Sequence, residues 1–174
     1  SFFSPADLDL LKLPADAKER NAIEIINPIN QDLSLMRTTL AASMLNAISR
    51  NEKQGTLEGR LFEVASIYIP EALPLTSYPD ERKVLCVGAF GNNESFFTMK
   101  GIANTIAESM DITFTYEPVQ KSFLHPYQAV KVLCEGTEIG YFGKAAYDIQ
   151  NELSMRTSAY IMELDLKELS RWYG

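Results

Sequence analysis

The 174-residue chain reads as an α+β domain, a mostly antiparallel sheet flanked by helices, and three features of its pattern predict this. Two long β-rich runs, Arg60 to Ile69 and Arg82 to Phe90, are joined by a surface connection carrying Pro70, Pro74 and Pro79. Gln128 to Cys134 and Glu138 to Phe142 flank Glu135-Gly136-Thr137, the short glycine-containing connection of a β-hairpin. One segment, Phe97 to Met110, carries a clean helical period in Met99, Ile102, Ala103, Ile106, Ala107 and Met110. Hairpins outnumber βαβ units, which places helices against an antiparallel sheet rather than between parallel strands.

Taken in order, Ser4-Pro5 opens a short helix, with serine as N-cap and proline at the first helical position, followed by Leu8, Leu10 and Leu11. Leu13-Pro14 ends it. Ile23, Ile25 and Ile26 form a short apolar strand stopped at Asn27-Pro28, because proline fixes its own φ and pushes its predecessor toward extended geometry. Leu40, Met44, Leu45 and Ile48 then share one helical face, with Thr38 or Thr39 as N-cap, Arg50 near the C-terminal pole and Asn51 with Gly55 as the stop. Leu33, Leu35 and Met36 do not fit that face and are either an exposed interface patch or an inner strand edge. After Gly91-Asn92-Asn93 closes the second long strand, Ile112 to Tyr116 alternates with period two and Glu117-Pro118 ends it. Gly143 leads into a helix around Lys144 to Asn151. Tyr160, Met162, Leu164 and Leu166 alternate as a last strand, with Asp165 as cap of a final helical turn.

Length and composition bound the function. A chain of this size forms one domain with an ordinary core, and 46% hydrophobic with 22% charged residues are globular values. No apolar run approaches the roughly 18 residues of a membrane span, so no membrane role is expected. The start Ser1-Phe2-Phe3 lacks the basic and apolar regions of a secretory signal. Cys86 and Cys134 sit in apolar runs as small hydrophobes, which favours a cytoplasmic reading. A net charge of −7 argues against a free-standing nucleic-acid binder, since Lys and Arg supply most non-specific affinity for phosphate.

Residues that attract chemical readings have simpler ones. His125 is the only histidine; flanked by Phe123-Leu124 and Pro126, it satisfies a hydrogen bond at a strand entry, with no serine or cysteine partner at triad spacing. Two distant cysteines and one histidine make no zinc spacing, and Asp7/Asp9 and Glu163/Asp165 read as solvated carboxylates. Gly136, Gly140 and Gly143 are spaced as hairpin and bend glycines, not as a phosphate loop, and Asn92 to Ser95 reads as a helix cap. No catalytic, cofactor-binding or metal-ligating residue is assigned on these grounds.

The run from Asn27-Pro28 through Leu35-Met36-Arg37-Thr38-Thr39-Leu40 resembles the Asn-Pro, acidic, Leu-Ser, Met-Arg-Thr segment in the core module of the phenylalanyl-tRNA synthetase beta chain. Arg60-Leu61-Phe62-Glu63-Val64, Phe96 to Gly101, Phe123-Leu124-His125-Pro126 and Met162 to Leu166 keep that family's order, so the resemblance covers nearly the whole chain. Where relatives commonly continue with Gly-Arg, this chain has Tyr127-Gln128. The resemblance implies a fold like a class II aminoacyl-tRNA synthetase catalytic domain, and residues 1–174 as a single core module of a longer beta chain. It also implies the family-signature positions Asn27, Pro28, Leu35, Met36, Arg37, Arg60, Phe62, Glu63, Phe123, His125 and Pro126.

The implied role is non-catalytic. A class II second motif places an arginine that grips the ATP α-phosphate on a strand; here the matching stretch is Tyr68-Ile69-Pro70-Glu71, with Ile69 at the arginine position. The third motif, a glycine-rich strand leading to a helix-borne arginine, finds no glycine-rich counterpart in Ala159 to Arg171. The resemblance thus implies an assembly module that packs on a catalytic alpha chain in a heterotetramer, with ATP and magnesium used by the parent enzyme and tRNA met through the assembly. The rival readings are an autonomous transferase using His125 and a regulatory paralogue that binds an amino acid or adenylate.

Overall fold

The computed structural model describes residues 2–25, 35–70, 73 and 78–172. In chain order the elements are β1 (Phe2–Phe3), α1 (Pro5–Leu10), β2 (Leu35–Met36), α2 (Ala41–Lys53), β3 (Gly59–Ile69), β4 (Asp80–Phe90), α3 (Phe96–Ser109), β5 (Thr115–Pro118), β6 (Leu124–Cys134), β7 (Thr137–Ala145), α4 (Tyr147–Glu152), β8 (Ala159–Asp165) and α5 (Leu166–Leu169). Six strands form one sheet in the spatial order β3-β4-β8-β7-β6-β5, every neighbouring pair antiparallel, and β1 pairs with β2 separately. The predicted fold class holds. The sheet is built from two hairpins, β3-β4 and β6-β7, with the last strand inserted between them. The β6-β7 turn has Glu135 at φ 50° and Gly136 at φ 78°, the two left-handed residues that match the twist of paired strands.

Local chemistry accounts for several boundaries. Ser4 and Asp7 form a reciprocal capping box on α1, with Pro5 in its first turn. Ser95 and Thr98 do the same for α3, and the Asp165 carboxylate accepts from the Glu168 N–H at 3.0 Å to cap α5. Five boundaries differ from the sequence reading. Helix α2 begins at Ala41, with Leu40 in the capping position, although the Thr39 hydroxyl accepts from the Ala41 N–H at 3.2 Å. It also runs past Asn51 to Lys53, because Glu52 is buried and accepts N–H groups of Arg156 and Thr157, a distant partner that extends the last turn. Strand β5 starts at Thr115 rather than Ile112, where β6 becomes available for pairing. Lys144 and Ala145 belong to β7, not to a helix, since Lys144 pairs with Tyr160 and Ala145 with Leu124. Leu166, read as strand, opens α5. Of the first predicted strand, Glu24 bridges to Leu35 and the Ile23 carbonyl accepts from Met36 N–H at 2.9 Å; Ile26, Asn27 and Pro28 lie outside the described residues.

The sheet separates two cores. On one side α1, α2 and α4 bury Leu11, Leu45, Ile48 and Ile149 against Cys86, Phe90 and Ile161. On the other, α3 and α5 bury Met99, Ala103, Ala107 and Leu169 against Phe142, Met162 and Leu164. Gly88 lets α2 approach β4, as a Cβ there would lie 2.6 Å from the Met44 sulfur. Both cysteines are buried and unbonded. Among the described residues no helix is long and apolar enough to cross a membrane.

Candidate functional site

Strand alternation brings Ile67 and Ile69 of β3, Arg82 and Val84 of β4, Asp165 and Glu163 of β8 and Tyr141 of β7 to one face at the same end of the sheet. The register places Ile67 opposite Arg82, Ile69 opposite Asp80, Val84 opposite Asp165 and Tyr141 opposite Glu163. With Thr38, Thr39 and Lys121 around the rim, these residues line a pocket of about 490 Å³. That volume is within the range of small-molecule sites.

Two polar networks fill its floor. Both oxygens of Glu163 accept from the Thr39 hydroxyl at 3.1 and 3.0 Å, one also from the Leu40 N–H and the other from the Tyr141 hydroxyl at 2.7 Å. Burial holds the Glu163 carboxyl above its ordinary pKa even though these donors pull it down, and the same enclosure together with Glu163 drives the Tyr141 phenol well up. The carboxylate thereby ties the β8 strand to the residues just before α2. Its backbone also explains Gly140: a Cβ there would fall 2.0 Å from the Glu163 carbonyl oxygen.

The second network surrounds Arg82. Its Nε donates to Asp80 at 2.6 Å, and Nη1 donates to Asp165 at 2.7 Å and Glu168 at 3.2 Å. Asp165, then Asp80 and Glu168, hold the guanidinium above its usual pKa. Asp80 in turn is held below the usual carboxylate range by Lys167 and then Arg82, and Glu168 by Arg171 and then Arg82. Three carboxylates occupy Nε and Nη1 of this one arginine and offset its charge, which leaves no net positive charge there of the kind that a phosphate needs.

Among the described residues the family-signature positions do not gather at one site, although Arg37 and Glu63 pair. Arg37 is buried, with Nη1 donating to Glu63 at 3.1 Å and to the Ser43 hydroxyl at 3.4 Å while Nε has no partner. Arg60 pairs with Glu94 at 3.2 Å on the opposite face, beside the exposed Phe62. Phe123 packs edge-on against Tyr141, with ring centroids 5.6 Å apart, and so supports the pocket. His125 lies outside the pocket; its Nδ1 accepts from the Tyr127 N–H at 3.1 Å, and its ring meets Tyr127 and Tyr147. That is the strand-entry role expected of it. Pro126 beside it is exposed. Leu35 is buried in β2 and Met36 is half-buried, so the inner-edge reading describes Leu35 and the exposed-patch reading does not. Asn27, Pro28 and Leu33 lie outside the described residues. Glu163, read as a solvated carboxylate, is instead enclosed; no local signal marks it, since its partners Thr39 and Tyr141 are 124 and 22 residues away. Ile69 stands at the pocket lip. Among the described residues no group of three or more histidine, cysteine or carboxylate side chains converges as a metal site.

This antiparallel sheet with its face pocket has the architecture of class II synthetase catalytic domains. It is similar to the crystal structure of pyrrolysyl-tRNA synthetase from Desulfitobacterium hafniense, with a TM-score of 0.72 and 15% identity, covering 97% of this chain and 59% of that one. At that identity the likeness defines the fold. The family model for the phenylalanyl tRNA synthetase beta chain CLM domain matches residues 1–166, and the chain belongs to that family. The phenylalanine–tRNA ligase beta subunit of Clostridium tetani is 34% identical over 172 residues, covering 97% of this chain and 21% of the relative. That of Clostridium acetobutylicum is 31% identical over 169 residues, covering 95% and 21%. The chain thus spans about a fifth of the length of these relatives.

Proposed function

We propose that this chain is a non-catalytic structural and assembly module of phenylalanine–tRNA ligase, supporting a catalytic alpha chain in the ATP-dependent charging of tRNA with phenylalanine. The observation that carries this reading is the polarity of the pocket. In adenylyl transfer the protein works by positioning phosphates and stabilising their developing charge, so preorganised cationic donors are indispensable. Here Ile69 occupies the lip where the second-motif arginine is expected, and Arg82 is engaged by three carboxylates. Arg171, at the helical end of the third-motif stretch, is bonded to Glu168 at 2.9 Å.

An assembly role also suits the surface, where Phe62 (60% exposed), Val64 (57%) and Phe97 (72%) present apolar area of the kind that obligate interfaces cover. In this reading ATP and magnesium serve the parent enzyme rather than this module, tRNA is met through the assembled enzyme, and the setting is cytoplasmic. His125, engaged by its neighbours away from the pocket, gives no support to the autonomous-transferase rival. The test is co-purification of a beta chain bearing this module with a tagged alpha chain. Stoichiometric capture that is weakened by Phe62→Lys with Val64→Lys is expected; a monodisperse module indifferent to the alpha chain in the full beta chain contradicts the proposal.

A further inference from the structure

Three aromatic side chains meet on the surface away from the pocket, and the assembly role uses none of them. Between the paired positions Leu124–Ala145 and Ala129–Gly143, β6 has four residues, His125 to Gln128, where β7 has one, Lys144. Extra residues of this kind bulge from a sheet and re-aim their side chains. The Tyr127 N–H donates to His125 Nδ1 at 3.1 Å, which sets the Tyr127 ring beside the imidazole, with centroids 6.1 Å apart. Tyr147, the first residue of α4, meets the same imidazole at 5.7 Å. Tyr127 is 91% exposed and Tyr147 57%, so two large rings on one imidazole are left in water. Lys144 Nζ lies 5.2 Å over the Tyr147 ring and has no ion-pair partner among the described residues. Asp148, next to Tyr147, is exposed, and Glu152 at the end of α4 is paired with Lys12.

An ammonium already placed on the Tyr147 face disfavours a cationic guest and favours an anionic one whose flat part stacks on a ring. A nucleobase with its phosphate has that form, whereas an acidic peptide brings the charge without the flat face. With a net charge of −7 and Asp148 close by, the surface does not suit a duplex, whose binding needs many phosphates neutralised at once. We propose that this cluster is a stacking site for one unpaired nucleotide of an RNA strand. The base lies on the exposed ring of Tyr127, which His125 holds in place, and Lys144 takes the adjoining phosphate. The inference rests on the reading of the chain as part of a tRNA ligase and adds to it a direct RNA contact by this module. One ring and one lysine strengthen a grip that the assembly already has on a strand; they are too little to hold a free nucleotide.

The experiment puts a benzoylphenylalanine photoprobe in place of Tyr127 in a beta chain bearing this module, assembles it with the alpha chain and irradiates it with a phenylalanine-accepting tRNA. An adduct with the RNA at an unpaired nucleotide is expected. No adduct overturns the proposal, and so does an adduct with protein alone, which assigns the cluster to a protein partner. In the same assembly Tyr127→Ser and Lys144→Gln should each raise the KM for tRNA about 10-fold, the effect of one stacked base or one phosphate contact, with kcat within about twofold. A tRNA KM unchanged in both variants also overturns it. Failure of the alpha chain to capture the beta chain counts against the assembly reading alone. The irradiation is then read on the 174-residue chain with the tRNA, where an RNA adduct sustains the contact and its absence overturns it.

Discussion

The two faces of the sheet are stabilised differently. Under α3 and α5 the buried side chains are almost wholly apolar: Met99, Ala103, Phe142, Met162 and Leu164 close on one another with the aromatic contacts Phe96–Phe142 at 5.1 Å and Tyr116–Phe142 at 5.4 Å. Under α1 and α2 the buried set includes Ser4, Arg37, Thr38, Thr39, Ser49 and Glu52, joined by the enclosed Glu163. The same sheet therefore has one face that works by area removed from water and one that works by hydrogen bonds that must be made. Polar groups are costly to bury unpaired, so this face depends on the partners that its buried groups find. In this chain the pocket sits on that face, and its floor carboxylates Asp80, Glu163, Asp165 and Glu168 are engaged by arginine, lysine, threonine and tyrosine.

Removing area from the apolar face should have the largest effect. Phe142→Ala leaves a fully buried ring unfilled, and a loss of about 3–5 kcal/mol is expected, measured by urea denaturation. The loss should be the same at pH 5 and pH 8, because the titratable group seen against this ring, Tyr116, has its phenol pushed up to about 12 and stays neutral at both. A strongly pH-dependent loss would break the contrast between the faces.

Next in size is Arg82→Gln. The ring of carboxylates around it is partly exposed, so the expected loss lies between the surface and buried limits for ion pairs, about 1–2 kcal/mol at neutral pH. Asp80 and Glu168 are depressed in the folded state, so the stability they contribute is present above their unfolded pKa and is lost as pH falls through the folded values. The variant should therefore lose less stability than the parent on acidification. An identical acid limb for both proteins would show that Arg82 does not set these pKa values.

Glu163→Gln sharpens the comparison through the opposite sign. The folded pKa of Glu163 is raised, so the native state holds its proton over a range where the unfolded chain has released it. Its contribution is fully present below the unfolded pKa and is lost as pH rises through the folded one. The offset from the parent at neutral pH is on the order of 1 kcal/mol, since the amide keeps an acceptor for the Leu40 N–H and removes a buried charge. The informative quantity is the slope: relative to the variant, the parent should gain stability on going down in pH across that window. A difference that grows in the other direction contradicts the enclosure of this carboxylate.

The smallest effect belongs to His125→Ala, which removes one acceptor from the Tyr127 N–H at a half-buried position and should cost about 0.5–1.5 kcal/mol. In an assembled enzyme its turnover should stay within a few-fold. A loss of about 100-fold or more with an unchanged melting temperature would revive a general acid-base role.

What was legible in the sequence tracks how local the signal is. The caps at Ser4, Ser95 and Asp165, the helical period of α3 and the turn at Glu135-Gly136 are set by residues within a few positions of one another, and the structure follows them. The extent of α2 was not legible, because Glu52 is held by N–H groups a hundred residues away, at Arg156 and Thr157. For the same reason Lys144 and Ala145 read as helix: only their pairing across to Tyr160 and Leu124 makes them strand. The pocket was the least legible part. Strand periodicity assigns Glu163 to a face but not to the enclosed end of that face, and nothing in the spacing joins it to Thr39. Ile69 was found by its resemblance to a motif position, and the structure puts it at the lip of the cavity.

The central claim, a fold of catalytic type whose pocket has lost the means to handle a nucleotide, is most directly tested by phenylalanine-dependent pyrophosphate exchange with the purified 174-residue chain, alongside calorimetric titration of ATP. The account predicts no exchange above the protein-free control and no saturable ATP binding, since the loss of even one preorganised donor costs on the order of 10² to 10³ in rate and here Ile69 and the engaged Arg82 remove more than one. Robust exchange, or micromolar ATP binding abolished by Arg82→Gln or Arg171→Gln, would contradict it.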